Sequence, residues 1–183
     1  RIRESLGNVF NMVIPATNIA RALSQLGRFN DAEACLDSLL VICQEQGYVD
    51  QQASILEALA SLCMERGNHD EALTLYRRVV GFGESAPIAR RMQVHIGSAR
   101  ALAAMDSVGA AVALLEGPAR LLRPSLSADH VMVYEQELGE CLLEAGRFED
   151  AVAAALRADR EAEMLNRPAD RVTALTVASL AEV

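Results

Sequence analysis

The chain has no tryptophan, and its few phenylalanines and tyrosines bring the aromatic content to only 4% of 183 residues. So few rings leave little on which bases could stack, and 25 acidic against 17 basic side chains give a net charge of −8, which repels a phosphate backbone. Nucleic acid is therefore not expected as a partner of this segment. Long apolar runs are also missing, since none approaches the roughly 18 consecutive apolar residues of a membrane span, so no membrane partner is expected. Turn formers are sparse, with 11 glycines and 5 prolines, as suits an all-helical chain. The four cysteines, at positions 35, 43, 63 and 141, form no CxxC pair. Three of them sit in apolar stretches, where cysteine acts as a small hydrophobe, so all four are read as reduced core thiols in a cytoplasmic setting.

Signatures of chemistry are equally scarce. His69, His95 and His130 are far apart and none belongs to an HExxH or CxxC-like spacing, so no metal is expected. Gly81-x-Gly83 lacks the strand, turn and helix of a phosphate loop and reads as a helix stop. No serine lies in a GxSxG elbow, and no cysteine and histidine share a catalytic signature. The segment is therefore read as non-enzymatic, with no catalytic residues and no cofactor. Residues 1–26 do not follow the order of a secretory signal. The chain starts at Arg1 without Met and stops at Val183 inside an apolar pattern, which reads as a segment of a larger protein.

What is present is a repeat. Gly27-Arg28-Phe29-Asn30-Asp31-Ala32 returns 40 residues later as Gly67-Asn68-His69-Asp70-Glu71-Ala72, and 79 residues beyond that as Gly146-Arg147-Phe148-Glu149-Asp150-Ala151. A degraded copy, Asp106-Ser107-Val108-Gly109-Ala110-Ala111, fills the gap; its glycine has moved but Ala111 keeps its place. A period of this size means helix pairs that cannot bury their own apolar faces and must stack on their neighbours. With 51% hydrophobic residues, the chain is long enough to bury roughly 70% of its unfolded surface.

The second unit serves as template. Asp50 is a plausible N-cap, Ala53, Leu56, Leu59, Ala60 and Cys63 recur at helical spacing, and Gly67 suits the position just past the helix end. Asp70 and Glu71 favour the next helix start, and Ala72, Leu75, Tyr76, Val79 and Val80 run on to Gly81-Phe82-Gly83. The first helix of each pair (A) is expected at about 12–26, 50–66, 87–105, 128–145 and 168–183. The second (B) is expected at about 30–46, 69–82, 108–123 and 149–165. The repeats thus span about 12–47, 50–83, 87–124 and 128–166, with a partial unit at 168–183, in a single domain over 1–183. Residues 1–11 carry a weaker pattern (Ile2, Leu6, Val9, Phe10) that fits either the tail of a preceding helix or an extension of the first. Ala32, Ala72, Ala111 and Ala151 fall in the first turn of each B helix, where a methyl permits close packing on the A helix. Pro15, Pro87 and Pro168 lie near A-helix starts, whereas Pro118 should kink the third B helix.

The Gly-Arg-Phe-x-Asp/Glu-Ala box, the Leu138-Gly139 pair, and Ala20, Ala60 and Ala99 at the equivalent earlier positions make the chain resemble the tetratricopeptide repeat family over nearly its whole length. The period exceeds the family's usual 34 or so, the early tryptophan is absent and the closing proline is missing. The chain is thus similar to the long-helix variety in multidomain bacterial signalling and regulatory proteins, such as maltose-activator-type transcription regulators and some diguanylate cyclases. The resemblance implies an α-solenoid, a right-handed superhelix of antiparallel helix pairs. It also implies a groove lined by A-helix positions facing away from the B helices, here Thr17, Arg21, Glu57, Ser61, Gln93, Arg100, Gln136, Glu140 and Glu144.

That polar set suits an extended or helical peptide, so a protein or peptide partner held in the concave groove is the leading reading. Chaperone-binding relatives clamp a carboxylate with lysine and asparagine, but Arg21, Ser61, Gln93 and Gly97 stand at matching positions, and such a clamp is not expected. Glu137, Glu140 and Glu144 form an acidic strip, read as solvated surface rather than a cation or basic-peptide site. One alternative is a sensor that binds a small molecule near Arg21 or Arg100 and controls an adjoining effector domain. Another is self-association, with a homodimer formed through uncapped solenoid ends.

Overall fold

Six helices of the repeat array end because one residue takes a backbone conformation that ordinary side chains avoid. In the computed structural model, which describes residues 2–181 and the side chains of 12–181, Gly67 sits at φ +78°. Its N–H donates to the Met64 carbonyl at 3.0 Å, and the Asn68 N–H reaches back to the Cys63 carbonyl at 2.8 Å. This paired cap turns the chain sharply out of the helix. The same two bonds recur at Gly27, Gly47 and Gly146, all at positive φ, and at two non-glycine positions, Asp106 (φ 57°) and Asn166 (φ 55°). Asp106 explains the degraded third copy: the left-handed position survives although its glycine is gone, because a short polar side chain tolerates it.

The arginine of the repeated box has a local role. Arg28 donates through Nε to Asp31 at 2.7 Å, and Arg147 does the same to Asp150 at 2.9 Å. Each bond ties the residue before the helix to the carboxylate in its first turn, where the helix dipole also favours negative charge.

The helices so delimited are α1 (Ile2–Gln25), α2 (Phe29–Glu45), α3 (Val49–Glu65), α4 (His69–Val80), α5 (Ile88–Ala104), α6 (Val108–Leu114), the single turn α7 (Arg120–Leu122), α8 (Ala128–Glu144), α9 (Phe148–Met164) and α10 (Pro168–Ala181). Helices α1, α3, α5, α8 and α10 are the A members of the pairs. The B members are α2, α4, the α6–α7 region and α9. The expected all-α array of helix pairs is the fold found, and most helix bounds lie within two residues of their expected places.

Three local expectations are corrected. Helix α1 starts at Ile2, so residues before 12 extend the first A helix, and Pro15 lies inside that helix rather than at its start. A mid-helix proline removes one hydrogen bond but need not end the helix. Asp50 lies in the first turn of α3, whose cap position is Tyr48. Glu137 is only 4% exposed and does not share the solvated strip of Glu140 and Glu144.

The chain divides into two compact units, Arg1–Val94 and His95–Val183. In the first, Ala32 and Ala72 are fully buried in the first turns of α2 and α4, over a core that includes Leu36, Ile55, Leu56 and Val79. In the second, Ala111 and Ala151 hold the same place, with Tyr134, Leu115, Met132 and Leu142 filling the interior. Gly139 of α8 faces Ala154 Cβ and the Ala151 carbonyl at distances a methyl would meet as ordinary contact.

The second unit contains one break in helical regularity. After α6 the chain forms a π turn over Leu115–Ala119, with Gly117 at φ −93°, ψ −105° and Pro118 inside it. Pro118 has no N–H to give and its ring opposes the carbonyl four residues earlier, so the third B helix splits where expected.

Cys43, Cys63 and Cys141 are buried, Cys35 is half-buried, and none is disulfide-bonded. Burial pushes the Cys63 thiol up to about 11 and the Cys141 thiol to about 12. Among the described residues no helix is long and apolar enough to cross a membrane.

Candidate functional site

Polar side chains on A helices have two fates, and the structure separates them. Some are consumed in bonds to the next A helix. Glu57 of α3 accepts from Arg90 Nη1 at 2.5 Å, and Asp50 accepts from the same guanidinium at 3.4 Å. Arg100 of α5 donates through Nε to Glu137 of α8 at 2.6 Å. Gln136 of α8 donates to the Asp170 carbonyl of α10 at 3.3 Å. Ser24 of α1 donates to Glu65 of α3. Three of the nine groove residues expected from the sequence, Glu57, Arg100 and Gln136, therefore stitch successive A helices together.

The Arg100 pair also shapes the charge on Glu137. Burial raises that carboxyl above its ordinary value of 4.5, and the Arg100 guanidinium pulls against the rise without cancelling it. Glu140 and Glu144 push in the same direction as burial.

The remaining residues keep free edges. Thr17, Arg21 and Ser61 line one cleft of ≈ 200 Å³ between α1 and α3, floored by Ala20, Leu36 and Leu62 and rimmed by Asn18 and Glu65. Thr17 and Ser61 turn their hydroxyls to backbone carbonyls of their own helices, Ile14 at 2.9 Å and Glu57 at 3.0 Å. Arg21 is exposed and, among the described residues, donates only to the Asn18 side chain, at 3.0 Å. An apolar floor with a few polar groups at its edge is the usual make-up of a recognition cleft.

In the second unit, Glu140 and Glu144 are exposed and line a shallower depression between α8 and α10, with Val172, Thr176 and Leu180 on its other wall. Gln93 is half-buried on α5 and lines neither cleft. The structure thus brings together Thr17, Arg21 and Ser61 in one place and Glu140 and Glu144 in another.

Sequence reasoning did not single out a third cleft, on the opposite face of α8. It has a volume of ≈ 330 Å³ and is lined by Arg120, Arg123 and Arg157 around Tyr134 and Glu135. Glu135, only 2% exposed, accepts from Arg123 Nε at 2.8 Å and from Arg157 Nε at 2.9 Å. Tyr134 donates to the Leu115 carbonyl in the π turn at 3.1 Å, and burial pushes its phenol up to about 12. One signal was available: a glutamate directly after the apolar run Val131-Met132-Val133-Tyr134, at a position facing the core.

Among the described residues no group of three histidine, cysteine or acidic side chains could hold a metal. His69 opens α4, where Phe29 and Phe148 open α2 and α9, and its Nδ1 is buried with no partner.

Residues 12–84 match the family model of the tetratricopeptide repeat. Among solved structures, the chain is similar to the nearly identical TPR-like repeats of a Podosopora anserina protein assigned as a kinesin light chain. The match has 20% identity and a TM-score of 0.73, covering 93% of this chain and 85% of that one. A single-substitution form of the same protein matches with 21% identity and a TM-score of 0.74, covering 93% and 84%. No match of that significance is found among curated protein sequences. At such identity the likeness speaks for the fold, a solenoid of tetratricopeptide-like helix pairs.

Proposed function

We propose that this chain, whose residues 12–84 match the tetratricopeptide repeat model, is a protein-interaction scaffold that binds a peptide along the A-helix face of its first unit. The observation that carries this reading is the α1–α3 cleft. Thr17, Arg21 and Ser61, anticipated from the register of the repeats, converge there over an apolar floor, and the Arg21 guanidinium has donors to spare. A peptide with apolar side chains on one face and a carboxylate near Arg21 fits that lining. Glu140 and Glu144 would offer a second, acidic contact surface for a basic stretch of partner.

The test is selection of peptides from a display library on the whole chain, followed by binding measurements on variants. Arg21→Glu should weaken the selected peptides roughly tenfold or more, since it replaces a charge-assisted donor by a repelling charge. Ser38→Glu, on the exposed side of α2, should leave them unchanged. Peptides that bind both variants alike would refute the reading.

A second reading, self-association, has its own support. Ile14 and Ile19 on α1 and Val172, Leu175 and Leu180 on α10 are exposed apolar side chains on the first and last helices. Sedimentation at rising protein concentration tests it: a mass that stays constant rules it out.

A further inference from the structure

The cleft between the π turn, α8 and α9 holds more cation than its own carboxylates use. Among the described residues Glu135 is the only buried carboxylate there, and it engages Arg123 and Arg157 through their Nε atoms alone. Among the described residues the Nη atoms of both guanidiniums have no hydrogen-bond partner, and Arg120, which lines the same cleft, has no ion pair. The two acidic side chains at the rim are already committed: Arg147 binds Glu116 at 2.8 and 3.0 Å and Asp150 at 2.6 and 2.9 Å. Counting Arg147, four guanidiniums face three carboxylates, a local positive excess in a chain whose net charge is −8.

The placement of these arginines follows from the break in the third B helix. Arg120 forms the first residue after the π turn, and Arg123 lies three residues on, so both come from the same side of the chain as it resumes helical form. Arg157 approaches from α9. Leu115 O accepts both the Arg120 N–H, across the π turn, and the Tyr134 hydroxyl, which pins the turn to α8.

We infer that this cleft is a binding site for the phosphate group of a small ligand. The unused Nη edges of Arg123 and Arg157 and the whole of the Arg120 guanidinium offer more donors than one planar carboxylate can accept, whereas the several oxygens of a phosphate can take all three. Glu135 then acts as the internal counter-ion that orients two of the forks, and Tyr134, held neutral, adds no repulsive charge. The volume of ≈ 330 Å³ lies at the lower end of the range that accommodates small molecules. The site uses the face of α8 opposite Gln136, Glu140 and Glu144, so it is independent of the peptide-binding reading.

The test titrates inorganic phosphate into the whole chain and follows the arginine Nε–Hε resonances by NMR, with sodium chloride at matched ionic strength as control. Saturable shifts of Arg123 and Arg157 are expected with phosphate and not with chloride. Arg120→Gln leaves both Glu135 pairs intact, so it should keep the fold by circular dichroism while weakening phosphate roughly tenfold. Arg77→Gln, an equal charge change on α4, should bind as the parent does. Shifts that chloride reproduces, or undiminished binding by Arg120→Gln, would overturn the site. Equal affinity for succinate would overturn its assignment to phosphate.

Discussion

His69 shows how a single residue can depart from its repeat at a cost. Phe29 and Phe148 occupy the same helix-opening position, and each presents only carbon to the turn it packs on. The imidazole brings a buried Nδ1 that finds no partner among the described residues, and a buried polar atom left unpaired costs about 1 kcal/mol or more. His69→Phe should therefore raise the stability of the chain by about 1 kcal/mol, read as a higher urea midpoint at unchanged slope. A lower midpoint would show that the ring nitrogen has a favourable role in the fold. Arg66 makes a comparable residue-scale point in the opposite sense: its guanidinium lies 5.6 Å from the Phe29 ring centroid and binds Asn30 and Glu33, joining the end of α3 to the start of α2. An arginine at a helix end can thus serve packing and hydrogen bonding at once.

Among the elements, the third B helix differs most from its sisters. Gly117-Pro118 splits it into α6, a π turn and α7, and the freed Leu115 carbonyl takes the Tyr134 hydroxyl as well as the Arg120 N–H. Tyr134→Phe keeps the ring and removes only that second donor. It should cost about 1 kcal/mol, the typical worth of one such bond, and hydrogen exchange should accelerate at the Arg120 amide as the turn loosens. No change at that amide would mean that packing of the ring alone holds the turn. The regular B helices rely on something simpler: a fully buried alanine in the first turn, at 32, 72 and 151, which lets two backbones approach closely.

For the whole molecule, the dependence of stability on pH carries the signature of the Arg100–Glu137 pair. Burial raises the Glu137 carboxyl in the folded chain above its ordinary value of 4.5, in spite of Arg100. Above 4.5 the folded state thus holds more proton at this site than the unfolded state, and stability falls as pH rises through that window. Glu137→Gln removes the titration. Its stability relative to the parent should improve steadily from below pH 4.5 towards neutrality, measured as the difference in denaturant midpoints across a pH series. A difference that is flat or moves the other way would mean that the Arg100 bond outweighs burial.

The sequence by itself determined the helices, their ends and their pairing. Glycine at the left-handed caps and acidic first turns act within about five residues along the chain, and alanine recurring at the repeat period marks the crossing points, so α3, α8 and α9 were legible almost to the residue. Even Asp106 could be placed, because the 40-residue period marks the cap whichever short side chain fills it. The start of α1 was less legible, since Pro15 reads equally well as a first-turn residue or as an interior one. Only the tertiary structure decided which polar residues are free. Glu57, Arg100 and Gln136 have the same helical register as Thr17, Arg21 and Ser61, yet they bond to partners 33 to 37 residues away on the next A helix. Glu135 likewise gathers Arg123 and Arg157 from 12 and 22 residues away. Such pairings depend on the distance between stacked helices rather than on position within one, and that distance exists only once the helices have packed.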